Sequence, residues 1–168
     1  MSSTAFQAVD TGKMPVLHGQ SGTAFQAVDT GKMPVLHGLR ILVVDDEPGV
    51  RDCLVRVLRY QGCEINAAQN AEEAFAALRC GSHYDVILVD LVMPDMEGLR
   101  LIRKMRSSNP SLRFIAVSGK PLTPAEKEDL ARLGVPVCSK PFRNEELSQA
   151  VRDMARREAR PEVVHAHA

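Results

Sequence analysis

Five side chains suited to handling phosphate stand at the downstream ends of short apolar runs. Asp45 and Asp46 follow Ile41-Leu42-Val43-Val44, Asp90 closes Val86 to Asp90, Ser118 closes Ile115 to Ser118, and Lys140 follows Val137-Cys138-Ser139. Two unit charges about 4 Å apart repel by about 1 kcal/mol in water and about 4 kcal/mol at an effective dielectric of about 20. Three carboxylates brought together therefore call for a counter-charge. A hard divalent cation such as Mg2+, which takes oxygen ligands and commonly sits between carboxylates and a phosphate, meets that need. A lysine ammonium neutralises phosphoryl oxygens as a point charge, and a serine hydroxyl donates to one of them. A carboxylate can also be the nucleophile and become an acyl phosphate. Taken together the five residues describe a phosphoryl-transfer site. A lone pair of acids after a strand is equally a solvated turn or a helix cap. It is the recurrence at several strand ends that favours chemistry here.

Such a site exists only if the runs are strands of one sheet. From Leu39 onward, β-branched runs alternate with stretches of period 3.6, which predicts strands over Arg40 to Asp45, Glu64 to Ala68, Tyr84 to Asp90, Arg113 to Ser118 and Val135 to Ser139. Helices are expected between them. Val50, Cys53, Leu54, Val57 and Leu58 form one apolar stripe, Ala71, Ala74, Phe75 and Leu78 a second, and Gly98, Leu101, Ile102 and Met105 a third. Thr123-Pro124-Ala125-Glu126 reads as a capping box opening a fourth, and Asn144 as the cap of a fifth carrying Leu147, Ala150, Val151 and Met154. Five βα units in succession give an α/β fold with an open parallel sheet. Right-handed crossovers put helices on both faces and ligands beyond the carboxyl ends of the strands. All five candidate residues sit at that edge.

Composition narrows the alternatives. The 168 residues carry 21 basic and 21 acidic side chains, so no global field draws the chain to nucleic acid or an anionic membrane. Arg100, Arg103, Lys104 and Arg106 read as a solvated helix face rather than a nucleic-acid patch. Aromatic residues make up 4%, with no Trp, which disfavours a base-stacking platform. No apolar run approaches the roughly 20 residues needed to cross a bilayer, and no basic leader with an apolar core opens the chain. Cys53, Cys63, Cys80 and Cys138 show no C-x-x-C pair, and as a group read as buried structural thiols in a reducing cytoplasm. Each Gly-Lys pair is followed by Met or Pro, which excludes a P-loop.

The ends differ from the middle. Thr4 to Gly19 and Thr23 to Gly38 carry the same sixteen letters, TAFQAVDTGKMPVLHG, too few copies for a solenoid. The expected organisation is a low-structure segment over 1–38, a folded domain over 39–158 and a disordered tail over 159–168 that ends HAHA.

The blocks ILVVDDE (Ile41 to Glu47), VILVDLVMPDMEG (Val86 to Gly98), IAVSGK (Ile115 to Lys120) and CSKPF (Cys138 to Phe142) resemble, in order and spacing, the receiver domain of bacterial response regulators. The resemblance runs over nearly all of Leu39 to Arg157. It implies a flavodoxin-like doubly wound fold, a five-stranded parallel sheet of order 2-1-3-4-5 flanked by five helices. It further implies that Asp90 is the phospho-acceptor, fed by a sensor histidine kinase or phosphotransfer protein. Mg2+ would be held by Asp46, Asp90 and the backbone carbonyl of Val92, with Asp45 acting largely through water. Lys140 would face the phosphoryl group, the bond before Pro141 would be cis, and Ser118 would be drawn toward the phosphorylated acid.

One position departs from the family. Where many relatives carry Tyr or Phe on the fifth strand, this chain has Val137, so an inward aromatic flip is unavailable and switching must rest on Ser118 and the loop Gly119 to Leu122. Val92 and Lys120 offer no acid or amide to orient water, which implies a long-lived phosphoryl group. Val92 also occupies the place where an Asp-nucleophile phosphatase needs its second acid, so substrate turnover is not expected. With no effector segment after Met154, a stand-alone receiver of chemotaxis type, contacting an unknown downstream protein, is the leading reading. A phosphorylation-independent interaction scaffold is the runner-up.

Overall fold

The apolar runs of the three central strands bury both faces, and two partly exposed strands flank them. In the computed structural model, which describes residues 36–81 and 83–157, the strands are β1 (Arg40–Val44), β2 (Glu64–Ala68), β3 (Val86–Asp90), β4 (Phe114–Ser118) and β5 (Val137–Ser139). The helices α1 (Pro48–Tyr60), α2 (Ala71–Arg79), α3 (Gly98–Ser108), α4 (Pro124–Arg132) and α5 (Asn144–Arg156) alternate with them. All pairings are parallel, and the sheet order is β2-β1-β3-β4-β5.

Strand alternation divides the core in two. Leu42, Val44, Ile87, Val89, Phe114 and Ala116 pack with the helices α2, α3 and α4. Ile41, Val43, Val86, Leu88, Ile115 and Val117 face α1 and α5, where Leu54, Leu58, Leu147 and Val151 close the layer. Arg103 pairs with Asp129 of α4, and the Arg106 guanidinium lies 5.2 Å from the Phe114 ring centroid. Two of the four basic side chains of α3 thus make contacts within the fold, Arg103 to α4 and Arg106 to β4.

Several boundaries differ from the sequence expectation, each for a local reason. β1 ends at Val44, although the Asp45 amide still donates to the Ala68 carbonyl at 3.1 Å. β3 starts at Val86: the Asp85 amide still donates to the Arg40 carbonyl at 2.8 Å, but the Arg40 amide donates to the Asp85 carboxylate at 2.8 Å rather than to a β3 carbonyl. β4 starts at Phe114, one residue later than expected. β5 begins after Pro136, which has no N–H to give to a ladder. The Thr123 capping box is present, Thr123 Oγ1 accepting from the Glu126 amide at 3.2 Å. Asn144 is not a cap but the first residue of α5. The cap position falls on Arg143, whose amide donates to Glu146 at 3.2 Å.

The cysteines are free and only partly follow the expectation of burial. Cys63 and Cys138 are buried and Cys53 is half-buried, but Cys80 is exposed at the end of α2. Burial pushes the Cys63 thiol up to about 11, and raises Cys138 and Cys53 as well, so these three stay protonated at neutral pH.

The first copy of the repeat and the tail from 158 lie outside the described residues, and so does the second copy except for its last three residues. Those three are packed. Leu36 is 2% exposed within the α1/α5 core layer, its amide donates to Gln61 at 3.0 Å, and its carbonyl accepts from Cys63 Sγ at 3.5 Å. The folded body therefore begins at least three residues before Leu39. Leu36→Ala is expected to cost about 2–5 kcal/mol in urea unfolding, the range for a buried leucine. A change under about 0.5 kcal/mol would mean the strap adds nothing.

Candidate functional site

Register brings the candidate residues to one edge. Val44 stands opposite Val89, so Asp45 and Asp90 follow side by side. Asp90 pairs with Val117, and Ser118 with Ser139, so Lys140 follows immediately beyond them. Alternation then sorts them. Asp45 continues the phase of Ile41 and Val43, Asp90 that of Val86 and Leu88, and Lys140 that of Cys138, all on the α1/α5 side of the sheet. Ser118 continues Phe114 and Ala116 on the other side.

The hydrogen bonds follow this sorting. Lys140 Nζ donates to Asp90 Oδ2 at 2.7 Å and to Asp45 Oδ2 at 3.0 Å. The remaining Asp90 oxygen, Oδ1, accepts from the Val92 amide at 2.9 Å, and Asp45 Oδ1 accepts from the Glu47 amide at 2.9 Å. Ser118 bonds neither acid. Its hydroxyl donates to the Lys120 carbonyl at 2.9 Å and accepts from the Lys120 amide at 3.3 Å. Lys120 Nζ turns instead to Glu126 at 3.4 Å, in the capping box of α4. Val92 is 48% exposed, and the Lys140–Pro141 bond is cis.

Asp45, Asp46 and Asp90 offer carboxylate oxygens within 4.8 Å of one another, and Asp45 and Asp90 are 1% and 6% exposed. Of the three, Asp45 and Asp90 share one ammonium, so negative charge is in excess. An all-oxygen set of this kind fits a hard divalent ion such as Mg2+ and does not fit a soft metal.

Burial raises the Asp45 carboxyl above its ordinary 3.8, against the opposing Lys140 hydrogen bond and charge. Lys140 is held above its ordinary 10.5: burial lowers it, and its bonds to Asp90 and Asp45 prevail. A raised carboxyl contributes stability that is full below the unfolded value and lost as pH rises through the folded one; Lys140 keeps its share until above 10.5. Metal-free protein should thus lose Asp45's contribution on going from about pH 4 toward neutrality. Urea midpoints of Asp45→Asn are expected to fall less over that range than those of the wild type. An equal fall would contradict the assignment.

Sequence reasoning missed two residues that shape this edge. Arg51 Nη1 donates to the Asp45 carbonyl at 2.8 Å and the Asp46 carbonyl at 3.4 Å. Gly98 lies so close to β3 that a Cβ there would sit 2.0 Å from the Asp90 carbonyl oxygen. The second left a sequence signal, a glycine opening a helix just past the acid strand.

Residues 41–152 match the family model of the response regulator receiver domain. This chain belongs to that family. It is 36% identical over 117 residues to the probable transcriptional regulatory protein TcrX of Mycobacterium tuberculosis, covering 70% of this chain and 50% of that protein. The chain thus spans half of that relative's length. The CheY-like receiver domain of Methanospirillum hungatei JF-1 superposes with a TM-score of 0.65 at 26% identity, over 70% of this chain and 93% of that one. The response regulator TrrA of Thermotoga maritima, solved in complex with Mg(2+)-BeF, gives 0.60 at 31%, over 69% and 98%. Receiver domains of this family serve two-component signal transduction, bind Mg2+ at the acidic pocket and interact with histidine kinases or phosphotransfer proteins. Among the described residues of this receiver, no helix is long and apolar enough to cross a membrane.

Proposed function

We propose that this receiver accepts a phosphoryl group on Asp90 from a phosphohistidine of a sensor kinase or phosphotransfer protein, and thereby switches its contacts with a downstream protein. The observation that carries the reading is the shared lysine: Lys140 bridges Asp45 and Asp90, holding a cation where phosphoryl oxygens would arrive.

In this reading an Asp90 oxygen attacks phosphorus, the phosphorus–nitrogen bond breaks, and the electron pair leaves with the imidazole, which is then protonated. Asp46, Asp90 and the Val92 carbonyl would hold Mg2+, with Asp45 supporting the site from beside them. The ion, when bound, offsets charge on the transferring oxygens. Lys140 stays charged throughout, because the two acids beside it hold its pKa up. No separate substrate is turned over. The Val92 side chain carries no carboxylate or carboxamide to orient water at the acceptor, and Lys120 is turned to Glu126, which supports a slow loss of the phosphoryl group. The reading places the protein in the cytoplasm, where such kinases present their phosphohistidine.

Ser118 supplies the switch. Its hydroxyl now closes a turn with Lys120, and a phosphoryl oxygen on Asp90 competes for that hydroxyl. Ser118→Ala is expected to be phosphorylated yet to lose most of the accompanying NMR shifts in Gly119 to Leu122. Full shifts in that variant would remove Ser118 from the switch.

Incubation of the wild-type chain with acetyl phosphate, read by intact mass, tests the reading as a whole. One phosphoryl group is expected with Mg2+ and none with excess chelator. No gain in either condition would overturn it.

A further inference from the structure

The turn that presents Asp45 and Asp46 lacks the usual means of being held. The residue before α1, Glu47, makes no side-chain cap bond, and the first turn of the helix carries no acid. Its hydrogen bonds come from one turn further along. Arg51 reaches back over the helix start, and one guanidinium nitrogen bonds the carbonyls of both Asp45 and Asp46. Its own amide donates to the Glu47 carbonyl at 2.9 Å. Together with the bond from the Glu47 amide to Asp45 Oδ1, these contacts close a ring through the acid pair. The guanidinium donors are fixed in one plane, so a single side chain can span both carbonyls.

We infer that Arg51 is a positioning residue for the divalent-cation site: by fixing the Asp45-Asp46 backbone it holds the β1 acids at the spacing the ion needs. This rests on the proposed Mg2+-dependent phosphoryl acceptance and assigns it one more participant. Charge and geometry oppose each other here. As a bare charge the guanidinium repels a cation, so its removal would tighten Mg2+ binding; as a clamp, its removal loosens it. Groups that orient metal ligands from behind typically change affinity about 10–100-fold when lost.

The test is Mg2+ titration of metal-free protein followed by amide NMR, on wild type, Arg51→Met and Arg51→Lys. Arg51→Met is expected to raise the dissociation constant about tenfold, with greater mobility of the Glu47 amide before metal is added. Arg51→Lys keeps charge and donors without the planar fork, and is expected to recover part of the loss. At saturating Mg2+, phosphorylation of both variants by acetyl phosphate should approach the wild-type rate, a split that general destabilisation would not produce. Equal or tighter binding by Arg51→Met would overturn the inference while leaving the proposed function intact. Should that variant not fold, an unchanged constant in Arg51→Lys would overturn it. A wild type that binds no Mg2+ would overturn both.

Discussion

Asp90→Asn is expected to abolish phosphoryl incorporation while leaving the fold in place. The amide keeps the shape of the carboxylate, and its oxygen can still accept from the Val92 amide or Lys140, the two bonds Asp90 makes in the structure. What it lacks is a nucleophilic carboxylate oxygen, and no rearrangement of neighbours supplies one. The expected result by intact mass is loss of labelling to background, with the urea midpoint close to that of the wild type. Undiminished labelling of Asp90→Asn would place the acceptor elsewhere and end the assignment of this residue.

Gly98→Ala is expected to be the most damaging single methyl group in the domain. A Cβ at this position would meet three backbone atoms of the acid strand, the nearest at 2.0 Å and the others, Leu91 Cα and Asp90 C, at 2.7 Å and 2.8 Å. Backbone in the centre of a parallel sheet does not yield as a flexible side chain would. Either the start of α3 lifts off or β3 shifts, and overpacking of this kind costs about 3 kcal/mol or more. Because the clash falls on the Asp90 carbonyl, phosphoryl acceptance should decline along with stability. Gly49→Ala is the matching control: it lies in α1, where an added methyl would meet nothing within 4 Å, and replacing a helical glycine there should gain up to about 1 kcal/mol. Urea unfolding of the pair checks this. Equal midpoints for the two variants would contradict the close approach.

The sheet was legible because its three central strands are short apolar runs, buried on both faces and each stopped by a polar residue. Asp45 and Asp90 mark two of those stops and Lys140 follows β5, so the functional edge could be read along with the fold. Side-chain phase adds a finer reading, since it predicts which of them share a face. Other features left weaker traces. Arg51 acts on carbonyls, and a pattern of side-chain types carries no record of which carbonyls are clamped. Leu36 was hidden by repetition, because Leu17 stands in an identical segment and nothing in the letters marks Leu36 as the residue that packs against Gln61 and Cys63. Cys80 reads as a small hydrophobe like its fellows, and its exposure follows from α2 ending there. The true start of β3 depends on the Arg40 amide, which the Asp85 carboxylate takes from a distance in sequence, and that of β5 on Pro136.

The claim on which the rest depends is that the acids just after β1 and the acid ending β3 hold one divalent ion between them. Mn2+ substituted for Mg2+ reports its position directly, because its paramagnetism broadens amide signals according to distance. The predicted result is broadening centred on Asp45 to Glu47 and Asp90 to Val92, and much weakened in Asp46→Asn. Broadening centred instead on exposed acids such as Glu72 or Glu145, or unchanged by that substitution, would contradict it.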